Sequence, residues 1–278
     1  MQMTEILDLK KNSIDSGTFI TAMITIGHKE LDPICRDFEF VVNDKQQLAD
    51  LISKLVMGWS RHVSRLIKNL DPHYPDVDRA TIQSQLNVLN GGDIEKIDGW
   101  LFQMISWIVL AEQHKDTPNF FQDNPHPQKA MHGLDGIAVT LNSDGSINRI
   151  IITEDKCTDT PRNKITQQVF PEFLEIEAGN KNNAIMQQVE ALLSEEDLIK
   201  VQNDIVNPKY RQYRISITRL DEHDSDEGRK KLFKDYEQKV GGADIDRRTC
   251  SSTNFNNMRA WMDDLKQLVI ASLTQQMP

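Results

Sequence analysis

The stretch GLDGIAVTLNSDGSINRIIITEDK, Gly133 to Lys156, constrains this chain more than any other. Two runs of β-formers flank Asn142-Ser143-Asp144-Gly145-Ser146, so the segment reads as a β-hairpin. Asp-Gly is a favoured pair for a two-residue type I′ turn. With Asp144 and Gly145 as that turn, Ser143 faces Ser146, and the same register sets Asp135 opposite Glu154. Without a bulge, their Cβ atoms would lie about 5 Å apart. Lys156 follows Glu154 by two positions and points to the same face of the strand. Spacing alone therefore clusters Asp135, Glu154 and Lys156.

Two bare carboxylates facing each other in a sheet repel. A divalent cation between them removes that penalty, and Mg²⁺ prefers carboxylate and carbonyl oxygens together with several waters. Such an ion could polarise a phosphate and lower the pKa of a water. Lys156 could orient or deprotonate that water, or stabilise charge in the transition state. The Asp155 side chain points the other way, which leaves its carbonyl as a further ligand. The competing reading is a hairpin whose charged end is merely solvated, with Lys156 neutralising the acids.

Upstream, Phe19 to Gly27 and Asp37 to Val42 read as strands joined by a turn around Asp32-Pro33. Apolar residues from Leu48 to Ile67 fall on one stripe, which predicts one amphipathic helix over about Lys45 to Leu70, ended by DPHYPD. After Asn90-Gly91-Gly92, Asp93 can cap a second helix, Ile94 to His114, that is apolar on nearly every side around Trp107 to Leu110. The proline-rich run Asp116 to Gln128 reads as a loop. From Lys209 to Arg219 there are four basic residues (Lys209, Arg211, Arg214 and Arg219), no acids, and Tyr210 and Tyr213 interleaved. That strip could track phosphates and stack a base; it equally fits a solvated strand edge guarded by charge. Arg162 and Lys164 follow the charged strand closely and could contact a scissile backbone.

Composition narrows the classes. With 278 residues the chain is long enough to bury a real core, and a charged content of 27% is that of a globular protein. A net charge of -10 counts against a general nucleic-acid coat, though not against an enzyme with a local basic patch, bound cations or a partner. The three cysteines are scattered without a CxxC, which suggests a reducing compartment and argues against a zinc finger. No apolar run approaches the roughly 18 residues of a membrane span, and the start lacks the layout of a signal peptide. A cytoplasmic location is expected. No GxxxxGK[ST] or GxGxxG motif points to a nucleotide site.

Asp135, then Glu154-Asp155-Lys156 after eighteen intervening residues, resembles the PD-(D/E)XK nuclease signature, with Leu134 where the name has proline. The resemblance covers about Asp93 to Leu220. It implies Asp135 and Glu154 as metal ligands with the Asp155 carbonyl, Lys156 beside the attacking water, and Glu112 as an acidic contribution from the preceding helix. It also implies a strand before the hairpin, then a helix after the motif and another strand, for which Asn163 to Gly179 and Tyr210 to Leu220 are the candidates. The fold expected is α/β: an N-terminal strand-and-helix region over 1–92, a restriction-endonuclease-like core over 93–220, and a helical C-terminal region over 221–278.

The activity implied is Mg²⁺- or Mn²⁺-dependent hydrolysis of a phosphodiester, in DNA rather than RNA. The resemblance and the acidic charge together suggest an antiphage defence effector controlled by a protein partner or by homo-oligomerisation. The rival class is a non-catalytic interaction protein docking through its amphipathic helices, including the one with Met258, Trp261, Met262, Leu265, Leu268 and Val269.

Overall fold

Short β-rich runs at both ends of the chain join the central hairpin in one sheet. The structure, a computed structural model, describes residues 23–68, 70, 79–129 and 133–277. Strands β1 (Ile24–Ile26), β2 (Lys29–Leu31), β3 (Cys35–Asp37) and β4 (Phe40–Val42) come first. β1 pairs with β4, and β2 pairs with β3 around Asp32-Pro33. The single hairpin expected here is thus two nested ones, and residues 19–22 of the first run lie outside the described residues.

Strands β5 (Phe120–Gln122), β6 (Gly136–Leu141), β7 (Ile147–Lys156), β8 (Arg211–Thr218) and β9 (Arg248–Thr253) complete the set. The larger sheet has the order β2-β3-β9-β8-β7-β6-β5. The β3–β9, β9–β8 and β8–β7 pairs are parallel, while the pairs at either end are antiparallel. The chain is therefore α/β with a mixed seven-stranded sheet. The proline-rich run read as loop contains β5, whose FFQ is too short to stand out in sequence. The C-terminal region is not wholly helical. Its strand RTCSST carries small hydroxyl residues in place of branched aliphatics, yet all six are buried.

The helical stripe from Lys45 breaks into α1 (Lys45–Val56) and α2 (Ser60–Ile67). The cause is Gly58, whose φ of +80° is a left-handed conformation that glycine adopts without cost. DPHYPD lies outside the described residues. Next come α3 (Arg79–Asn90) and α4 (Ile94–Gln113), the latter capped by Asp93, which accepts from the Glu95 amide at 3.0 Å. After β7 the chain enters α5 (Pro161–Lys164), a π-helical turn (Ile165–Val169) and α6 (Phe170–Glu177). Pro171 has no N–H and its ring crowds the carbonyl four residues back; the wider π turn just ahead relieves both. Helices α7 (Asn182–Leu192) and α8 (Glu195–Val201) precede β8. Then α9 (Asp226–Leu232), α10 (Tyr236–Lys239), β9 and α11 (Met258–Gln275) follow.

Side chains alternate across the sheet. Ile150, Ile152, Tyr213, Ile215 and Ile217 face α6 and α7, packing on Phe173, Ile176 and Ile185. Ile151 and Ala138 face the other way, onto Leu110 of α4. The core around α4 draws on both ends of the chain, including Leu48, Leu51 and Ile52 of α1 and Met262, Leu265 and Val269 of α11. The segments 1–92, 93–220 and 221–278 thus share one sheet and interleaved cores. The apolar side of the α11 helix, offered as a docking surface, is buried at Met262, Leu265 and Val269.

Two glycine substitutions should act in opposite directions. A Cβ at Gly58 meets nothing within 4 Å, so Gly58→Ala carries only the left-handed backbone cost, about 1 kcal/mol of lost stability. A Cβ at Gly99, inside α4, also meets nothing within 4 Å, and Gly99→Ala should stabilise by about 0.5–1 kcal/mol. Urea unfolding of the two variants checks both signs.

Candidate active site

The hairpin reaches its expected register by an unexpected route. Asn142 N–H donates to the Ser146 carbonyl at 2.8 Å, and Gly145, with φ +84°, closes a three-residue loop in place of a two-residue turn. Leu141 then faces Ile147, one residue out of the expected register. Asn148 is the extra residue of a β-bulge, and it restores the register at once. From Thr140 opposite Arg149 to Gly136 opposite Thr153, every pair is the one expected.

The β6–β7 ladder ends at Gly136 and Thr153, while the β7–β8 ladder continues to Lys156 opposite Ile217. Asp155 N–H, left without a main-chain acceptor on β6, donates to Asp135 Oδ2 at 2.9 Å. Lys156 Nζ lies 3.3 Å from Asp135 Oδ2, 2.9 Å from Glu154 Oε2 and 3.2 Å from the Asp155 carbonyl oxygen. The structure therefore brings together Asp135, Glu154, Lys156 and the Asp155 carbonyl. Three oxygens converge on one cationic nitrogen. Gln103 of α4 donates to Asp135 Oδ1 at 2.7 Å and fixes that carboxylate from the other side.

The cluster carries more negative charge than its burial favours. Burial and the nearby Asp135 push the Glu154 carboxyl up, to about 8 against the opposing pull of Lys156. Burial works to lower the Lys156 ammonium, yet Glu154 and Asp135 together hold it above its ordinary value. The Asp155 side chain points to the α4 face, where burial and Asp135 push it up to about 7 and Arg214 and Ser106 oppose the shift. Arg214 is itself drawn down to about 10 by burial, with Asp155 resisting. Behind these groups lies a cavity of about 10 Å³, on the scale of one water. The unpaired atoms Thr153 Oγ1, Asp155 Oδ1 and Gln122 Oε1 belong to residues lining it.

Glu112 does not join the cluster. It lies nine residues beyond Gln103 on α4, about 13 Å along the axis and on the opposite side of the helix. There its carboxylate pairs with Lys115 at 2.5 Å. Along β8 the basic strip is neither a nucleic-acid track nor a guarded edge, because β8 is the fourth of seven strands and is covered on both faces, while Lys209 and Tyr210 ahead of it are exposed and half-buried. Arg211 is buried and donates to the Ile176 carbonyl at 2.6 Å, Asn182 Oδ1 at 2.6 Å and the Val206 carbonyl at 2.9 Å. Arg214 is buried and donates to Ser106 Oγ at 2.7 Å. Arg219 pairs with Glu39 and with Asp224. Tyr213 is buried, its hydroxyl donating to Glu177 at 2.6 Å. Arg162 is held by the Leu232 and Lys234 carbonyls and by Asp235. Lys164 is half-buried.

Sequence reasoning missed Gln103, Ser106 and Asp123. The first two are the polar residues of the apolar run Trp100 to Ala111, three apart on one face of α4, and that pattern was a usable signal. Asp123 follows β5. Burial, and the charge of Asp155, push its carboxyl up to about 7. Among the described residues no three His, Cys, Asp or Glu side chains gather to hold a metal, so the candidate ligand set is two carboxylates and a main-chain carbonyl. Burial pushes the Cys157 thiol well up, which disfavours a nucleophilic thiolate. Comparison with protein-family models, with curated proteins and with solved structures returned no match.

Arg211→Gln should cost about 2 kcal/mol or more of stability, because it strands buried acceptors, and should leave nucleic-acid affinity unchanged. Urea unfolding and fluorescence anisotropy separate the two effects. For Asp123, the carboxyl titrates near 7 in the folded chain and near 3.8 when unfolded, so the folded state binds the extra proton between those values. Stability on its account is full below the lower value and falls as pH rises through the upper one. Asp123→Asn should therefore melt about 2–4 °C above wild type at about pH 8 and lose that advantage at about pH 4. Thermal unfolding across pH checks the sign.

Proposed function

We propose that the chain is a metal-dependent nuclease that hydrolyses phosphodiester bonds, in DNA before RNA, at Asp135, Glu154 and Lys156. The observation that carries this reading is the convergence of Asp135 Oδ2, Glu154 Oε2 and the Asp155 carbonyl on one positive charge. Two carboxylates and a carbonyl are the donors a hard cation selects. The raised Glu154 carboxyl marks a site with anionic charge left to neutralise. These residues fit Mg²⁺ or Mn²⁺, and the same three oxygens would hold it. Such an ion supplies Lewis-acid polarisation of a phosphoryl oxygen and lowers the pKa of a water.

The chain's own groups have separate tasks. Gln103 and the Asp155 N–H orient the two oxygens of Asp135, which leaves that carboxylate little freedom to turn. Glu154 holds the Lys156 ammonium toward the open end of β7. Lys156 keeps its proton while both acids are ionised, so it acts there as a positive charge beside the developing phosphorane, or as a donor to it. The order α4, β5, β6–β7, α5–α6, β8 supports the PD-(D/E)XK resemblance, since it supplies the strand before the hairpin and the helix and strand after the motif. With a net charge of -10, delivery of substrate by a partner fits the chain better than autonomous capture, and an antiphage effector is the setting the resemblance suggests.

The test is incubation with supercoiled plasmid, linear DNA and RNA in Mg²⁺, Mn²⁺ or EDTA. Cleavage should require the metal. Glu154→Gln and Lys156→Ala should each lower the rate by about two orders of magnitude or more, with thermal unfolding unchanged or raised for Glu154→Gln. Full activity in the double variant, in preparations cleared of contaminating nuclease, would sink this reading. It would leave the non-catalytic interaction protein in its place.

A further inference from the structure

With Arg211, Arg214 and Arg162 held by the fold, the nuclease reading lacks a surface for its substrate. The stretch from Leu51 to Leu70 contains no acid and carries Lys54, Arg61, His62, Arg65 and Lys68. In a chain with ten more acids than bases, that is a marked local reversal of sign. Its second half is α2. A pocket of about 340 Å³ opens along this helix, lined in part by Ser60, Arg61, Ser64, Arg65, Lys68 and Asn124. A second hollow, of about 510 Å³, shares Ser60, Arg61, Arg65 and Asn124 and reaches the amino end of α2.

Arg61 and Lys68 are exposed and make no ion pair with any described residue. That contrasts with Arg149, Arg162, Arg219, Arg229, Arg247 and Arg259, each of which meets a carboxylate. The N-cap of α2 is Trp59, which makes no side-chain bond to the first turn. His62 reports the local field. Burial, with Lys54 and Arg65 nearby, holds its imidazole below the ordinary value.

The pocket also adjoins the cavity behind the candidate active site. Trp107 and Gln122 form walls of both this pocket and the small cavity that Asp135 and Asp155 line. Asn124, which accepts from the Ser60 hydroxyl, stands between Asp123 and Pro125, and Pro125 is a wall of that cavity. Trp107 Nε1 donates to the Asp123 carbonyl at 2.6 Å and ties the two regions together. Cations, hydroxyls and a side-chain amide are the donor set that meets phosphodiester oxygens.

We infer that the α2 pocket, through Arg61 and Lys68, binds the phosphate backbone of the nucleic-acid strand cut at Asp135, Glu154 and Lys156. This rests on the nuclease reading, and it names the substrate-holding surface of that same site. The contacts are to backbone, so recognition is independent of sequence, and few cations give modest affinity.

The test uses the full chain carrying Glu154→Gln, so that labelled DNA survives, with anisotropy followed over a range of salt. Adding Arg61→Gln and Lys68→Gln should weaken binding to all sequences alike and reduce the log–log salt slope by about 2. Arg61→Lys with Lys68→Arg should retain both affinity and slope, and thermal unfolding identifies any variant that fails to fold. Inorganic phosphate serves as the competitor for a simple anion site. Unchanged affinity in the charge-removing variant overturns the proposal, as does binding of inorganic phosphate without binding of DNA. Absence of DNA binding by the Glu154→Gln chain at low salt also overturns it. Metal-dependent cleavage by the wild-type chain is scored separately, so the nuclease reading survives any of these results if cleavage is present.

Discussion

Strand β7 keeps its partner on one side three residues longer than on the other. Its ladder with β8 runs to Lys156, whereas its ladder with β6 stops at Thr153. Glu154, Asp155 and Lys156 are therefore rigid along one edge and open along the other. Into that opening the Asp135 carboxylate turns, accepting from an amide that a continued ladder would have occupied. The period of two then divides the triplet. Glu154 and Lys156 reach one face with Asp135, and the Asp155 side chain reaches the other. A site built this way needs no flexible loop to assemble it, and its precision comes from sheet geometry.

The two faces of the sheet are electrically linked through Asp155. Its carbonyl belongs to the site, while its carboxyl shares the α4 face with Arg214 and Ser106. Arg214 thus offsets a buried carboxylate that would otherwise add to the charge around Asp135 and Glu154. Removing one partner of such a buried pair leaves the other uncompensated, commonly at about 3–5 kcal/mol. Elsewhere the same device appears with no link to the Asp135 cluster: Arg229 is buried against Asp37 and Glu39 and joins α9 to β3 and its neighbouring turn. The interior of this chain is charged, and its arginines hold elements together.

That interior explains what was legible in the sequence and what was not. The central hairpin was legible because two runs of β-formers, both buried along most of their length, flank a cluster of turn residues. Its turn was not, since Asp-Gly with glycine at positive φ serves a three-residue loop as well as a two-residue one. Arg211 and Arg214 were misread because a fully buried arginine is rare, and nothing local distinguishes it from a surface one. Glu112 lost its place to Gln103 because helical phase, not sequence proximity to the hairpin, decides which side chain reaches Asp135. Strand β9 was invisible, since Thr249, Ser251, Ser252 and Thr253 read as turn chemistry until β8 and β3 flank them.

The excess of acids and the single-sign surface of α2 are parts of one electrostatic arrangement. A polyanion approaching a chain of net charge -10 is repelled over most of its surface, and the repulsion weakens beyond about 8 Å in physiological salt. Where a local run of cations reverses the sign, the surrounding acids sharpen the contrast and so favour one orientation of approach. Trp107 and Gln122, walls common to the α2 pocket and the cavity behind Asp135, set that face next to the cavity. On the proposed nuclease reading, net acidity would limit how tightly a strand is held without obscuring where it is held, and the cluster at Asp135, Glu154 and Lys156 would meet only what had been oriented first.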